Sequence, residues 1–338
     1  MITERKAPRA PSLFPVARNR HTVQPMETNP SAPLFVVNLM SGGGRTKKRW
    51  PALADALKRH DLDPEAVFTE YTGDGHDLSK AAIAQGRRTL VAVGGDGTVN
   101  EVASAILDSA MGDEVRIGTI AMGTGKDVGK CLGMPHPLQA IRAIAAGHER
   151  RIDAGRVESH DERGDPLTRY FLLEASVGWI PEISASVPRL LKRLGDTAPY
   201  TIMTFVKMLG PMNRQFEVVI DGESFHGPYN SVSMHNMELW GGDLVAVPGA
   251  LPDDGVLDVV RWGALGRLAV VRAVQGQRAG GTHLQMEGVD HHPARGVELA
   301  SSSRSRIDLD GEPGGYLPAR FEVLPRVLRF LAPGTGPG

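Results

Sequence analysis

The sequence predicts two domains: a doubly wound α/β domain with a parallel sheet, then a mainly antiparallel β-sandwich domain. Three observations carry this. Up to about residue 150, short apolar runs alternate with segments of helical period. Several of those runs end in glycine clusters, and open α/β sheets bind ligands beyond the carboxyl ends of their strands. After residue 150 the texture changes, and strand-like stretches follow one another between Gly, Asp and Pro turns. The 338 residues are enough for two ordinary domains.

In chain order, residues 1–32 are rich in Pro, Arg, Asn and Thr and lack the apolar stretch of a secretory signal. They are expected to be a disordered extension. Residues 34–39 (LFVVNL) read as a buried strand. The turn SGGG and the basic residues Arg45, Lys47, Lys48 and Arg49 follow, and Trp50, Leu53 and Leu57 then give helical spacing over 50–57. Residues 66–71 form the next strand, ending at Thr72, and 77–85 the next helix. The third strand, 90–93, runs into Gly94, Gly95, Asp96 and Gly97. Thr98 is the expected N-cap of the following helix, with Glu101 completing a capping box. Val99, Val102, Ala103 and Ile106 make one apolar face of it. Strand 115–122 ends in Gly123, Thr124, Gly125, Lys126 and Asp127. Helix 137–146 has Pro at its start and Gly147 at its end. This β-α order predicts a parallel sheet with helices on both faces.

The 90–106 unit also carries a functional expectation. A strand, a glycine turn and a helix bring backbone N–H groups and the positive end of a helix to one point, which suits phosphate. Asp96 in the middle of that turn implies a cation between carboxylate and phosphate, and Mg²⁺ is the usual one. The turn is neither a Walker A loop nor G-x-G-x-x-G.

In the second half, strands are expected at 170–175, 216–220, 229–234, 256–262 and 296–300. Residues 188–209 read as mainly helical and apolar, with Arg189, Lys192 and Arg193 beside them. They either cover a core or form a flap that meets lipid.

Composition narrows the class. Hydrophobic residues make up 41% and charged residues 23%, as in soluble globular proteins. The formal net charge of −1 gives no general attraction to nucleic acid or anionic membrane. Cys131 is the single cysteine, so no internal disulfide forms, which suits a reducing compartment. It is expected to be a small buried hydrophobe. No stretch is long and apolar enough for a transmembrane helix. The expected location is the cytoplasm, with visits to the membrane surface.

At residues 94–101 the motif GGDGTVNE resembles the nucleotide-binding motif of the diacylglycerol kinase catalytic family, which includes bacterial lipid kinases and the sphingosine and ceramide kinases. GGDGT is shared with NAD kinases, and the extension VNEV fits the lipid kinases better. Asn38 and SGGG resemble that family's first loop, with Leu39 in place of its Pro. GTGKD at 123–127 resembles its G-T-G-N-D, with Lys126 in place of Asn. Residues 240–260, RIDLDGE at 306–312 and the tail at 320–333 resemble its second-domain motifs, so the likeness runs from about 34 to 333.

The resemblance implies a fold of the NAD-kinase and diacylglycerol-kinase type. Residues 33–150, completed by 320–333, would be the nucleotide-binding domain, and 151–319 a β-rich lipid-substrate domain. It implies ATP as cosubstrate, Mg²⁺, and transfer of the γ-phosphate to a lipid hydroxyl, diacylglycerol by default. Thr72, Gly94, Gly95, Asp96, Gly97, Thr98, Val99, Asn100, Glu101, Gly123, Thr124 and Gly125 would line the nucleotide. Asp96 would position Mg²⁺ and Glu312 would be the general base. Leu251 and Val256, through main-chain carbonyls, and Asp254, through its carboxylate, would hold a second Mg²⁺. An NAD kinase, or a catalytically silent binder of ATP or lipid, is the alternative. Nothing in the residues separates the lipid acceptors or fixes the oligomeric state; a homodimer stays open.

Overall fold

The computed structural model describes residues 32–123, 125–179, 181–182 and 210–334. The expected disordered extension, Thr124 and the helical segment 188–209 lie outside the described residues, apart from residue 32 of the extension.

The first half is the expected parallel sheet. Strands β1 (Leu34–Val37) and β3 (Thr89–Gly94) are buried along their whole length. Burial on both faces explains why they read as unbroken apolar runs rather than alternating ones. The order is β2 (Ala66–Phe68), β1, β3, β4 (Arg116–Ala121), all parallel. Helices α1 (Ser41–Lys58, kinked at its start by Gly42, Gly43 and Gly44 with left-handed φ of 61°, 65° and 83°) and α5 (Pro137–Ala146) pack together, as do α2 (Asp74–Ala84) and α3 (Asp96–Asp108). The short α4 (Asp127–Cys131) precedes α5.

Two boundaries differ for a physical reason. Helix α2 begins at Asp74, three residues before the expected start, on Gly73 in the left-handed region. Helix α3 begins at Asp96, not after a Thr98 cap: Gly95 occupies the N-cap and no side chain caps it. The expected capping box does not form, because both Glu101 oxygens accept hydrogen bonds from another loop, from the Gly73 N–H (2.7 Å) and the Gly75 N–H (3.0 Å).

The second half is a two-layer sandwich. One layer runs β13 (Val289–Ala294), β12 (Leu257–Gly263), β9 (Glu223–His235), β7 (Glu174–Gly178), β15 (Arg306–Leu309), all antiparallel neighbours. The other holds β8 (Arg214–Ile220), β14 (Gly296–Ser301), β16 (Glu312–Leu331), β5 (Glu149–His160) and β6 (Pro166–Phe171). Phe171, Phe216, Val232, Leu299 and Phe321 fill the space between them. Helix α6 (Arg267–Arg278) covers the outer face of the first layer over a smaller core of Trp179, Trp262, Val270 and Ala273. A two-stranded ribbon, β10 (Leu239–Trp240) and β11 (Leu244–Val245), reaches toward α4.

Strand β16 joins the halves. Its end pairs with the first half, Arg329 beside Arg116 and Phe330 beside Ile117, in parallel with β4. The expected strand over 170–175 is in fact broken, because β6 ends at Phe171 and β7 begins at Glu174. The Asp310 carboxylate accepts the N–H groups of Leu172, Leu173 and Glu174, at 2.8, 2.8 and 2.9 Å, and takes them out of the sheet.

Candidate active site

The glycine loops meet at the carboxyl ends of β1, β3 and β4. Gly95 and Gly123 lie back to back: a Cβ on Gly123 would stand 2.4 Å from the Gly95 Cα, so any side chain there would push the two loops apart. Asn38 organises the first loop. Its Oδ1 accepts from the N–H groups of Met40 (3.0 Å) and Ser41 (3.1 Å), and its Nδ2 donates to the Thr98 hydroxyl (3.3 Å).

Asp96 sits where these loops converge. Its Oδ2 accepts from the Asp127 N–H (3.2 Å) and its Oδ1 from the Val128 N–H (3.1 Å), so it caps α4. Burial, and then the Asp127 carboxylate, push its carboxyl up to about 6. Each oxygen still has a lone pair for a further partner. Asp127 is 1% exposed and accepts the Gly242 N–H at 2.7 Å, while Lys130 bridges Asp127 and Asp243. One short helix therefore carries Asp96 at its start and, through Asp127, grips the β10–β11 turn of the second half.

A second bridge runs through α3. The Asn100 amide donates to the Tyr170 carbonyl (3.0 Å) and to Asp310 Oδ2 (2.8 Å). Asp310 and Gly311 form the tight turn between β15 and β16, both with positive φ, of 52° and 87°. This is the Asp-Gly hairpin turn the sequence suggests. Glu312 follows at once, exposed at the start of β16. It stands near Glu101, whose carboxyl is raised first by burial and also by the Glu312 charge.

The other expected site residues fall into three groups. Gly94, Gly95, Gly97 and Gly125 lie in the converging loops, and Thr72 is exposed on the neighbouring one, which Glu101 holds. Val99 is buried to 1% and packs in the core, and Asn100 spends its amide on the second half. Leu251, Asp254 and Val256 stand elsewhere. Their loop packs on Asp153, which accepts from the N–H groups of Gly255 (2.7 Å) and Arg326 (2.6 Å). Arg326 lies before the stretch of β16 that pairs with the first residue of β4, so this loop is at the opposite end of the parallel sheet from the glycine loops. Among the described residues no three His, Cys, Asp or Glu side chains are grouped to hold a metal. Burial raises the Cys131 thiol to about 12, which fits an inert side chain. Asp127 and Asp310 were visible in GTGKD and DLDGE, but nothing in the spacing foretold that they would tie the halves together.

Lys126 adopts the left-handed conformation, φ 58°. Asn tolerates that region better than Lys does, which accounts for the resemblance having Asn there. Lys126→Asn is expected to raise stability by about 0.5–1 kcal/mol, read by thermal unfolding. No gain would mean that Lys126 makes a compensating contact.

The diacylglycerol kinase catalytic domain matches residues 32–157, and the YegS C-terminal NAD kinase beta sandwich-like domain matches 182–332. The chain belongs to the diacylglycerol kinase family. At the level of that family it is a lipid kinase. It is similar to the diacylglycerol kinase of Staphylococcus carnosus TM300, 28% identical over 302 residues, covering 88% of this chain and 94% of the relative. The diacylglycerol kinase of Staphylococcus aureus RF122/ET3-1 is 28% identical over 303 residues, covering 88% and 91%. A diacylglycerol kinase crystal structure from Bacillus anthracis Sterne shares the fold, with a TM-score of 0.64, 18% identity and 90% and 97% coverage. So does yeast NADH kinase complexed with NADH, at 0.50, 11% identity and 89% and 83% coverage. No described helix is long and apolar enough to cross a membrane.

Proposed function

We propose that this lipid kinase moves the γ-phosphate of ATP, with Mg²⁺, to a lipid hydroxyl, diacylglycerol being the default acceptor. The observation that carries the reading is the Asn100–Asp310 bond, which holds the turn bearing Glu312 against the helix that starts at Asp96. A proton acceptor and a phosphate loop are then tied to opposite sides of one bridge between the halves.

The loop residues fit a nucleotide. Gly97 is in the first turn of α3, and a Cβ there would meet no atom within 4 Å. Neither backbone strain nor packing calls for glycine, so the open space suits a phosphate oxygen at the positive end of the helix. Asp96 fits a cation, since its carboxyl is pushed up by burial and a like charge, which a divalent ion would offset. When bound, ATP supplies the phosphoryl group and Mg²⁺ the positive charge that offsets its oxygens. The chain's own part is positioning. The Gly94–Gly97 and Gly123–Gly125 loops orient the phosphates by backbone N–H groups, and Asn38 and Glu101 hold the adjoining loops. Glu312 takes the proton of the lipid hydroxyl as its oxygen attacks phosphorus and the bond to the leaving ADP oxygen breaks. An ion held by the Leu251 and Val256 carbonyls with Asp254 would brace the base of the molecule, away from the phosphates. We place the enzyme in the cytoplasm, acting at the membrane surface where its acceptor is.

Two variants test this. Gly97→Ala is expected to keep or slightly raise stability, by up to about 0.5–1 kcal/mol, while raising the Kd for ATP at least about tenfold. Unchanged ATP binding by calorimetry would move the nucleotide away from this loop. Glu312→Gln is expected to slow transfer of labelled phosphate to diacylglycerol in mixed micelles by roughly 10²–10³-fold, within the range of a lost general base. A wild-type rate would remove Glu312 from the reaction, and label on NAD alone would turn the reading to an NAD kinase.

A further inference from the structure

A cavity of about 440 Å³ opens at the base of the molecule, where the halves join. Leu107, Ala110 and Asp113 line it from the end of α3 and the loop after it, Arg151 from β5, and Arg326 and Val327 from β16. Its volume is in the range of small-molecule sites. It is distinct from the glycine loops, because the 13 residues of α3, roughly 20 Å of helix, separate it from Asp96.

The backbone leaves its regular course to make this wall. Between the pairs Leu324–Ala154 and Leu328–Ile152, β16 has three residues where β5 has only Asp153. Such bulges re-aim side chains and are frequent beside binding sites. At the middle of the bulge Arg326 takes φ 51°, and across the cavity Ala110 takes φ 54°. Both lie in the left-handed region, which a Cβ disfavours. The Asp153 carboxylate fixes Arg326 there by accepting its N–H at 2.6 Å. Glycine would hold the same turn without strain. The turn therefore does not call for arginine, and strained side chains of this kind gather at ligand sites.

The lining selects the ligand. Two guanidinium groups share the cavity with one carboxylate, Asp113. Arg151 Nη1 donates to Asp113 Oδ1 at 2.6 Å and to the Arg326 carbonyl at 3.4 Å, and Arg326 Nε donates to the Asp253 carbonyl at 3.1 Å. Among the described residues, both terminal nitrogens of Arg326, and Nε and Nη2 of Arg151, have no hydrogen-bond partner. Asp113 is 84% exposed and Arg151 48%, so water screens their ion pair and a ligand can replace it. Planar forks of N–H groups suit phosphate oxygens. A phosphomonoester carries nearly two negative charges at pH 7, enough for both arginines. Leu107, Ala110 and Val327 add a short apolar wall for a small organic body.

We propose that this cavity is a second anion site, where Arg151 and Arg326 bind the phosphate of a phosphomonoester across the joint between the halves. Binding reads it without any kinase assay, so its failure and that of the lipid-kinase reading are told apart. Calorimetry on the full chain with glycerol 3-phosphate covers a free ester. Flotation with phosphatidylcholine vesicles, with and without phosphatidic acid, covers a lipid headgroup. At least one of the two is expected to bind, with glycerol and plain vesicles inactive. Arg326→Gly and Arg151→Gln are each expected to weaken that binding at least about tenfold. Arg326→Gly relieves the left-handed strain, so it should melt at or above the wild-type temperature while losing the ligand. Arg151→Gln changes a half-exposed side chain and serves as the second variant. Gly97→Ala, at the other end of α3, should bind the ester as the wild type does. If neither probe binds, or if binding survives both arginine variants, the site is overturned. Binding lost in Gly97→Ala but kept in the arginine variants would assign the ester to the glycine loops and overturn it too.

Discussion

Asp96→Asn is expected to lower phosphoryl transfer by about 10⁴-fold while leaving stability within about 1 kcal/mol of the wild type. The two effects separate because the carboxylate is costly to the fold and useful to the ligand. Its carboxyl rises from 3.8 to about 6, chiefly through burial and next through Asp127. Two units correspond to at most about 3 kcal/mol against the charged form. The protonated form therefore contributes stability that is fully present below about pH 3.8 and is lost as pH rises through about 6. At pH 7 and without a cation the charge costs stability, and Asn removes that cost. Asn also loses one of the two N–H bonds to α4, because its NH₂ cannot accept from Asp127 or Val128. A buried donor left unmet costs about 1–3 kcal/mol, which roughly cancels the gain. Catalysis has no such compensation. A lost anchor for metal and phosphates is worth several kcal/mol, and about 5.5 kcal/mol is 10⁴-fold. Label transfer with Mg²⁺, and thermal melts in EDTA, both at pH 7, measure the two effects. A tenfold loss of activity or less would take Asp96 out of the reaction. A melt far below wild type would make it a structural cap. The wild-type rate should also fall below about pH 6, as a proton competes with the cation at Asp96.

The parallel half was legible because its strands are buried on both faces and its turns are glycine-marked. The apolar runs at β1, β3 and β4, and helix α5 between its Pro and Gly, lie close to where they were expected. Local capping rules failed at Thr98 and Glu101 because Glu101 found better donors in the Gly73–Gly75 turn of another loop. The second half was harder. Strand β5 went unread because Glu149, Arg150, Arg151 and Glu158 break its apolar run, although β16 pairs with it almost end to end. Helix α6 was missed because RLAVVRAVQGQR has a narrow apolar stripe that meets only one small core. The site residues in GGDGT were legible as a phosphate loop. The roles of Asn100, Asp127 and Asp310 were not, because each depends on a contact more than a hundred positions away in sequence.

Asp310→Ala is expected to be the most destabilising single change in the site, at about 4 kcal/mol or more, and to abolish transfer. The carboxylate is buried and accepts four hydrogen bonds, from three successive backbone N–H groups and from Asn100. Removing it leaves four donors unmet inside the protein, each costing about 1–3 kcal/mol. The loss of a buried charge that burial already disfavours returns part of this. Ala also fits poorly at φ 52°, where it adds about 1 kcal/mol. Asp310→Asn separates the terms, because Asn tolerates that φ and keeps one oxygen. Its NH₂ would face two of the donors, so roughly half the loss should remain. Activity should fall more than stability explains, because Asn100 would no longer fix the Glu312 turn against α3. Chemical denaturation of the wild type and both variants gives the stabilities, and transfer rates well below the unfolding midpoint give the rest. If Asp310→Ala unfolds within 1 kcal/mol of wild type, the bridge does not hold the halves. If Asp310→Asn keeps full activity with lowered stability, the bridge supports the fold without placing Glu312.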